Sequence, residues 1–351
     1  YPLGLQENYD NSGVQLGDTS LELKGAIITL DISEATIDEA INKGANMIIS
    51  HHPLIFSPIK KITNNYIDKI ITKSIKNDIV IYSMHTNLDN HWEGINKIMA
   101  LKLNLKNIKT LSAKGELLRK LVTFVPIESI DKVRDAVFSA GAGVIGNYDK
   151  CSYNVEGYGT FRPQSGTNPY VGKINELHKE KEIRLEVIYA VYKEKNIITS
   201  LLNTHPYEEV AYDIYKLENK MAIVGSGIIG DLEEEIKDGL LLGKIKDVFN
   251  AKCIRHSKLL NKNVNKVAIC GGSGQFLLKD AIIQGADFLI TSDVKYHTFF
   301  ETEDKIVIAD VGHFETEQFA IEIIYNYLIK KIPNFAIYYS DVITNPVNYF
   351  I

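Results

Sequence analysis

The stretch "AIITLDISEATIDEAINKGANMIISHHP" (26–53) aligns without gaps on "VAICGGSGQFLLKDAIIQGADFLITSDV" (267–294). Ile28 falls on Ile269, Ala40-Ile41 on Ala281-Ile282, Gly44-Ala45 on Gly285-Ala286 and Ile49 on Ile290. Each copy opens with a short apolar run and a turn. Apolar residues then recur at three- and four-residue spacing (Ile37, Ala40, Ile41; Leu278, Ala281, Ile282), as on one face of a helix. Gly44 and Gly285 stand where a helix C-terminus favours positive φ. A second apolar run closes each copy (47–49; 288–290), and a third follows in "IVIYS" (79–83) and "KIVIAD" (305–310). These runs are apolar throughout, the pattern of parallel strands covered on both faces. The reading is of an α/β protein: duplicated α/β/α halves, each with a mostly parallel sheet, separated by something different.

The intervening segment has its own pattern. "LVTFVPIESIDKVRDAVFSAGAGVIGNY" (121–148) reads as a strand, then an amphipathic helix through Ile130, Val133, Ala136 and Val137 that ends at Gly141. "IRLEVIYAV" (183–191) is a further strand, and "ITSLLNTHPYEEVAYDIYKL" (198–217) holds a helix, a turn and a strand. This order suggests an inserted ferredoxin-like α+β domain. The expected boundaries are residues 1–117 for the first half of the core, 118–220 for the insert and 221–351 for the second half.

Composition sets outer limits. With 351 residues, two or three domains are expected. A net charge of −5 gives no electrostatic reason to expect nucleic acid, and no apolar run approaches the roughly 20 residues of a membrane helix. The start "YPLGLQENYD" has neither the basic nor the apolar region of a signal peptide, and it lacks Met, as if the chain begins inside a longer natural sequence. Cys151, Cys253 and Cys270 are few, odd in number and without metal-ligand spacing; they read as reduced thiols of a cytoplasmic protein.

The polar residues gather at one kind of place. In open α/β sheets ligands bind at the carboxyl ends of the strands. There lie His51 and His52, then His85 and Asp89, then Asp293 and His297, and finally His313, Glu315 and Glu317. Five of nine histidines thus follow four expected strands. His313 and Glu317, four apart, share a face if their segment is helical. Imidazoles with two carboxylates suit Zn, Fe or Mn, and five such ligands exceed the need of one tetrahedral ion. A pair of divalent metal ions bridged by a carboxylate is therefore expected. His85 and His297 are candidates to move protons, because histidine titrates near neutrality. "CGGSGQ" (270–275) lacks the Lys-Ser/Thr of a phosphate loop and reads as a tight strand-to-helix turn. Glu208 and Glu209 of "PYEE" are expected to be solvated or structural.

"ENYDNSGVQLGD", "SHHPLIF", "HTNLD", "TSDVKYH" and "GHFETE" resemble, in order, the motifs of the Nif-three-like family, whose members are named GTP cyclohydrolase I type 2 homologues. "VFSAGAGVIGNYDKCSYNVEGYGTFRPQSGTNPYVG" and "THPYEEVAYDIY" resemble the PII/CutA-like domain inserted in the larger bacterial members. "NHWEGIN" (90–96) departs from the glycine pair that relatives tend to carry there. The resemblance implies a dinuclear metal site on His51, His52, Asp89, His313 and Glu317, and a ring-shaped homo-oligomer, commonly a hexamer. Two functions follow as expectations: a metal-dependent hydrolase of a nucleotide or related heterocycle, or a non-catalytic metal-binding ring with a regulatory role, in which the insert senses a small molecule.

Overall fold

The computed structural model describes residues 1–350. The chain divides into two compact units: Tyr1–Ala113 together with the described residues from Ala222 onward, and Lys114–Met221.

In the larger unit the first half runs β1 (Gly13–Leu16), β2 (Ala26–Thr29), α1 (Glu34–Asn42), β3 (Met47–Ser50), α2 (Tyr66–Lys76), β4 (Val80–Ser83), α3 (Thr86–Asp89), α4 (Ile95–Lys102) and β5 (Lys106–Lys114). Helix α1 starts at a reciprocal cap, in which Ser33 accepts from the Thr36 amide and Thr36 accepts from the Ser33 amide. Past its end, Gly44 has φ +67°, and Gly285 at the equivalent place has φ +73°. A Cβ at either glycine would meet nothing within 4 Å, so backbone conformation alone accounts for glycine there.

The smaller unit contains β6 (Leu118–Pro126), α5 (Ile130–Ser139), β7 (Tyr153–Phe161), β8 (His178–Ala190), α6 (Glu194–Thr204) and β9 (Tyr212–Lys216). Its sheet has the order β7-β8-β6-β9 with every pairing antiparallel. Two interleaved strand–helix–strand elements in that order are the ferredoxin-like topology. Leu121, Val125, Leu185 and Val187 face Val133 and Val137 of α5 and Ile197 and Leu201 of α6. The helices thus cover one face of the sheet.

The second half of the larger unit continues with β10 (Met221–Lys237), α7 (Asp238–Val248), β11 (Arg255–His256), β12 (Asn263–Ile269), α8 (Leu278–Ile283), β13 (Phe288–Thr291), β14 (Val307–Asp310), α9 (His313–Glu317), α10 (Phe319–Lys331) and β15 (Ile337–Tyr339). Its two sheets have the orders β1-β4-β3-β2-β15 and β11-β14-β13-β12-β10-β5. Within them β4-β3-β2 and β14-β13-β12 are the two copies of one parallel motif. Each copy is bordered beyond its third strand by an antiparallel strand, β1 or β11.

The pleat sorts the apolar runs into layers. Ile27 and Ile48 face α1 and α2, whereas Ile28 and Ile49 face inward. In the second sheet Ala268 and Leu289 pack with α8, while Ile269 and Ile290 join the inward cluster. Met99 of α4, Ile245 of α7 and Phe319 of α10 belong to that same cluster, so the two halves share a middle layer of helices.

Strands β5 and β10 are neighbours in one sheet, and the smaller unit leaves and returns through their ends. The Thr110 hydroxyl donates to the Ala222 carbonyl at 2.7 Å, so the two exits lie together. A chain with Ala113 joined to Ala222 through a short Gly-Ser turn is expected to give one cooperative thermal transition by circular dichroism. A broad, non-cooperative melt of that variant would show that the larger unit needs the insert to fold.

Candidate metal centre

The chain reaches the site from the carboxyl ends of five parallel strands. Past β2 comes Asp31, past β3 His51 and His52, and past β4 His85 followed by α3 with Asp89. Past β12 comes the Gly271-Gly272 turn, and past β14 comes Gly312, with φ +114°, leading into α9. That helix spans His313–Glu317, so the two share a face, as their spacing predicts.

Glu317 is 3 % exposed and sits at the centre. Its Oε2 lies 2.8 Å from His52 Nε2, 2.9 Å from His313 Nε2 and 3.7 Å from His51 Nε2. Asp89 Oδ1 lies 3.7 Å from His51 Nε2. His85 joins this group with its ring 5.4 Å from that of His51 and 5.5 Å from that of His52. Ligand atoms converge in three sets: His51, His52 and His85; His52, His313 and Glu317; and His51, Asp89 and Glu317. Glu317 and Asp89, and all four of these imidazoles, are therefore brought together.

Each imidazole is oriented from behind. His51 Nδ1–H donates to the Met84 carbonyl at 2.7 Å. His52 Nδ1 meets Asp31 at 2.7 Å, His85 Nδ1 meets Asp10 at 2.7 Å, and His313 Nδ1 meets Asp293 at 2.6 Å. With Nδ1 engaged in every ring, it is Nε2 that is left to turn inward. Metal-ligating histidines are held in this way, and the partner fixes the tautomer and the ring plane. Asp10 is itself held by the Thr86 hydroxyl and amide, and Asp31 by Thr344. Sequence reading did not single out Asp10 or Asp31. Asp31 directly follows the first strand of the repeat, so the rule that finds His51 would have found it.

His297 is not part of this group. The short 3₁₀ helix Tyr296–Phe299 carries it on the surface, where its ring neighbours are Tyr296 at 5.3 Å and Phe300 at 6.5 Å. The backbone turns at Asp293, with φ +54°, so Asp293 is directed to His313 and the residues after it lead away.

The "CGGSGQ" turn has a steric purpose. Gly272 has φ +61°, and a Cβ there would lie 2.1 Å from Glu317 Oε1. Its amide donates to Thr316 Oγ1 at 3.0 Å, which ties the turn to α9.

Electrostatics point to a bound cation. Burial disfavours the charged form of His52, but Asp31 and Glu317 outweigh it and hold the ring up at about 9. His313 is likewise raised to about 11 against burial by Asp293 and Glu317. His51 is lowered by complete burial. Burial, then the charge of Glu317, pushes Asp89 well above the carboxylate range. Glu317 stays well below that range despite burial, because His313, His51 and His52 all reach it. Two buried atoms, His51 Nε2 and Asp89 Oδ1, have no hydrogen-bond partner among the described residues. Each carries a lone pair, and at 3.7 Å they are too far apart to hydrogen-bond with one another. A divalent cation would satisfy both and would supply the positive charge that two adjacent carboxylates require. The donor set of imidazole nitrogens and carboxylate oxygens fits such an ion.

A duplicated α/β core with a histidine–carboxylate cluster at its strand ends is the class of protein defined to this point. Residues 1–346 match the model of the Duf34/NIF3 (NGG1p interacting factor 3) family, and the chain belongs to that family. The "GTP cyclohydrolase 1 type 2 homolog" of Halalkalibacterium halodurans is 40% identical over 315 residues, covering 89% of this chain and 85% of that one. The Bacillus subtilis protein of the same name is 37% identical over 310 residues, covering 87% and 83%. Among solved structures, a Bacillus cereus protein related to NIF3 superposes with a TM-score of 0.85 at 37% identity, covering 100% of this chain and 96% of its own. No helix among the described residues is long and apolar enough to cross a membrane.

Two substitutions test how the site is supported. Asp31→Ala leaves His52 without its orienting carboxylate and is expected to weaken metal affinity about 10–100-fold, read by competition with a chromogenic chelator, while the far-ultraviolet circular dichroism stays unchanged. Gly272→Ala puts a methyl group against Glu317 in a backbone conformation that itself costs alanine about 1 kcal/mol. A folded protein that has lost bound metal is expected; full metal content would show that the turn does not shape the site.

Proposed function

We propose that this protein holds two divalent metal ions, Zn, Fe or Mn, and uses them to hydrolyse a nucleotide or related heterocycle. The observation that carries this reading is the position of Glu317, whose single carboxylate is shared by imidazoles from both halves of the core. His51 and Asp89 form one donor set with it, and His52 and His313 form another. A carboxylate common to two sets is the bridge that a metal pair needs. When bound, such a pair polarises a substrate oxygen and makes water acidic near neutral pH.

The chain's own groups do the rest. His51, His52 and His313 keep their Nε2 atoms fixed by partners at Nδ1, so no reorganisation is needed on binding. His85 adjoins the cluster and is backed by Asp10, which would stabilise its ring when it takes a proton. It is the residue to which we give the proton-moving role. Walls of buried apolar strand behind the site keep it dry on the core side.

The printed name of the curated relatives supports GTP or a related purine as the first substrate to try. The ferredoxin-like topology of Lys114–Met221 supports a PII/CutA-like identity for the insert. Ring assembly into a homohexamer is supported by the exposed aromatic patch of Phe276, Tyr296 and Phe300, which stands on the surface of the second half. Cytoplasmic residence is supported by the three unpaired cysteines.

Metal analysis of protein purified without chelators, followed by turnover assays on GTP, other nucleotides and pterin-like compounds, tests the reading. Glu317→Gln preserves the shape but removes the charge shared by the two sets, so both ions are expected to be lost and turnover with them. Two ions retained per chain in that variant would sink the bridging role. A fully loaded wild-type protein that turns over none of these compounds would replace the hydrolase with a metal-stabilised assembly.

A further inference from the structure

The smaller unit contains a cavity of about 570 Å³, within the range of small-molecule sites. It opens on the sheet face that α5 and α6 leave uncovered. Cross-strand pairing sets Val155 opposite Arg184 and Gly157 opposite Glu182, so these side-chain positions share that face. Two successive positions of β7 on this face, Gly157 and Gly159, are glycine. The second has a clear reason: a Cβ at Gly159 would lie 2.2 Å from Glu182 Oε2. The missing side chains leave a bare floor with one carboxylate in it.

That carboxylate is unusual in its company. Glu182 is 7 % exposed, yet among the described residues no Lys, Arg or His nitrogen comes within 4.0 Å of it. Its neighbour Arg184 is taken up by Glu186 at 2.9 Å. The hydrogen bond that Glu182 receives within the cavity is from the Tyr207 hydroxyl, to Oε1, at 2.8 Å. Tyr207 is in turn fixed by "THPYEE". Its amide donates to His205 Nδ1 at 3.1 Å, and His205 Nε2–H donates to the Phe124 carbonyl at 3.0 Å. A buried carboxylate without a countercharge is costly, and the cost falls when a ligand brings N–H donors to it.

The walls are aromatic. Phe161 and Tyr170 lie 5.8 and 6.1 Å from the Tyr207 ring, centroid to centroid. Rings so arranged accept a flat partner by stacking. At the mouth stands Arg162, exposed and, among the described residues, without a carboxylate within 4.0 Å.

From these features we infer that the inserted unit is a binding site for a planar nitrogen heterocycle whose edge presents adjacent N–H donors, a guanine- or pterin-type ring, with Glu182 reading that edge and Arg162 placed for an attached phosphate. The ring stacks among Phe161, Tyr170 and Tyr207. Two parallel N–H groups match the two oxygens of a carboxylate, a geometry that adenine and a bare ammonium do not offer. Glu208 and Glu209, expected from sequence to be solvated or structural, line this cavity, and Glu208 accepts from the Asn168 amide at 2.9 Å, which holds the loop that carries Tyr170.

Isothermal titration of the full-length protein with guanosine, GMP, adenosine and agmatine tests this site separately from the metal centre. Guanosine is expected to bind saturably, GMP more tightly, and adenosine and agmatine weakly or not at all. Glu182→Gln should weaken guanosine about tenfold, and Tyr170→Ala, at the half-exposed wall, should also weaken it and serves if the first variant fails to fold. Glu317→Gln, which disables the metal centre, should bind guanosine like wild type. No guanosine binding at millimolar concentration, equal affinity for adenosine, agmatine bound in preference to guanosine, or binding lost in Glu317→Gln but kept in Glu182→Gln would each overturn the assignment.

Discussion

A single carboxylate oxygen, Glu317 Oε2, sits within 3.7 Å of three imidazole nitrogens, and the geometry of the larger unit is organised around it. Burying a carboxylate is expensive unless its charge is met. Here the charge is met from both halves of the duplicated core: His51 and His52 from one sheet, His313 from the end of the other. The shared helical layer brings the two sheets' strand ends to one place. The glycine turn after β12 makes room for the carboxylate, and α9 delivers it. Altering any one of these would change the surroundings of Glu317 before it changed the core.

The four histidines illustrate a division between holding and being held. Every ring spends Nδ1 on the protein and leaves Nε2 to the site. Three of the four holders are aspartates, and each comes from a different segment: Asp10 precedes β1, Asp31 follows β2, and Asp293 follows β13. Their negative charge raises the basicity of the imidazoles and so strengthens them as ligands. The same charge explains why His52 and His313 stay high despite burial.

Much of the fold was legible from the repeat. The six apolar runs are strands, Gly44 and Gly285 end helices at positive φ, and the ferredoxin-like order of the insert follows from its strand and helix sequence. The cluster was legible because parallel sheets expose ligands at carboxyl ends, which turns a list of histidines into one location. What escaped was whatever depends on direction. His297 follows a strand end like the others, but a turn at Asp293 sends its ring to the surface. Asp10 lies in a segment without a periodic pattern, and only the fold brings it to His85. Glu182 reads in sequence as one more charge on an alternating strand; its burial depends on two glycines opposite and on a tyrosine held by a distant histidine.

The duplication itself has a mechanical consequence. Residue 52 of the first copy aligns with Asp293 of the second, and residue 31 with Gly272. Where one copy has an imidazole, the other has the aspartate that props an imidazole, and where one has a propping aspartate, the other has the gap that admits Glu317. The two halves have diverged into complementary parts of one device, and neither retains a working copy alone. A cation seated there acts as a clasp across the seam. Because it binds only the assembled form, its occupancy adds RT ln(1 + [M]/Kd) to the free energy that keeps the halves together. Metal supply would then set how long the protein survives in the cell, whatever reaction it performs.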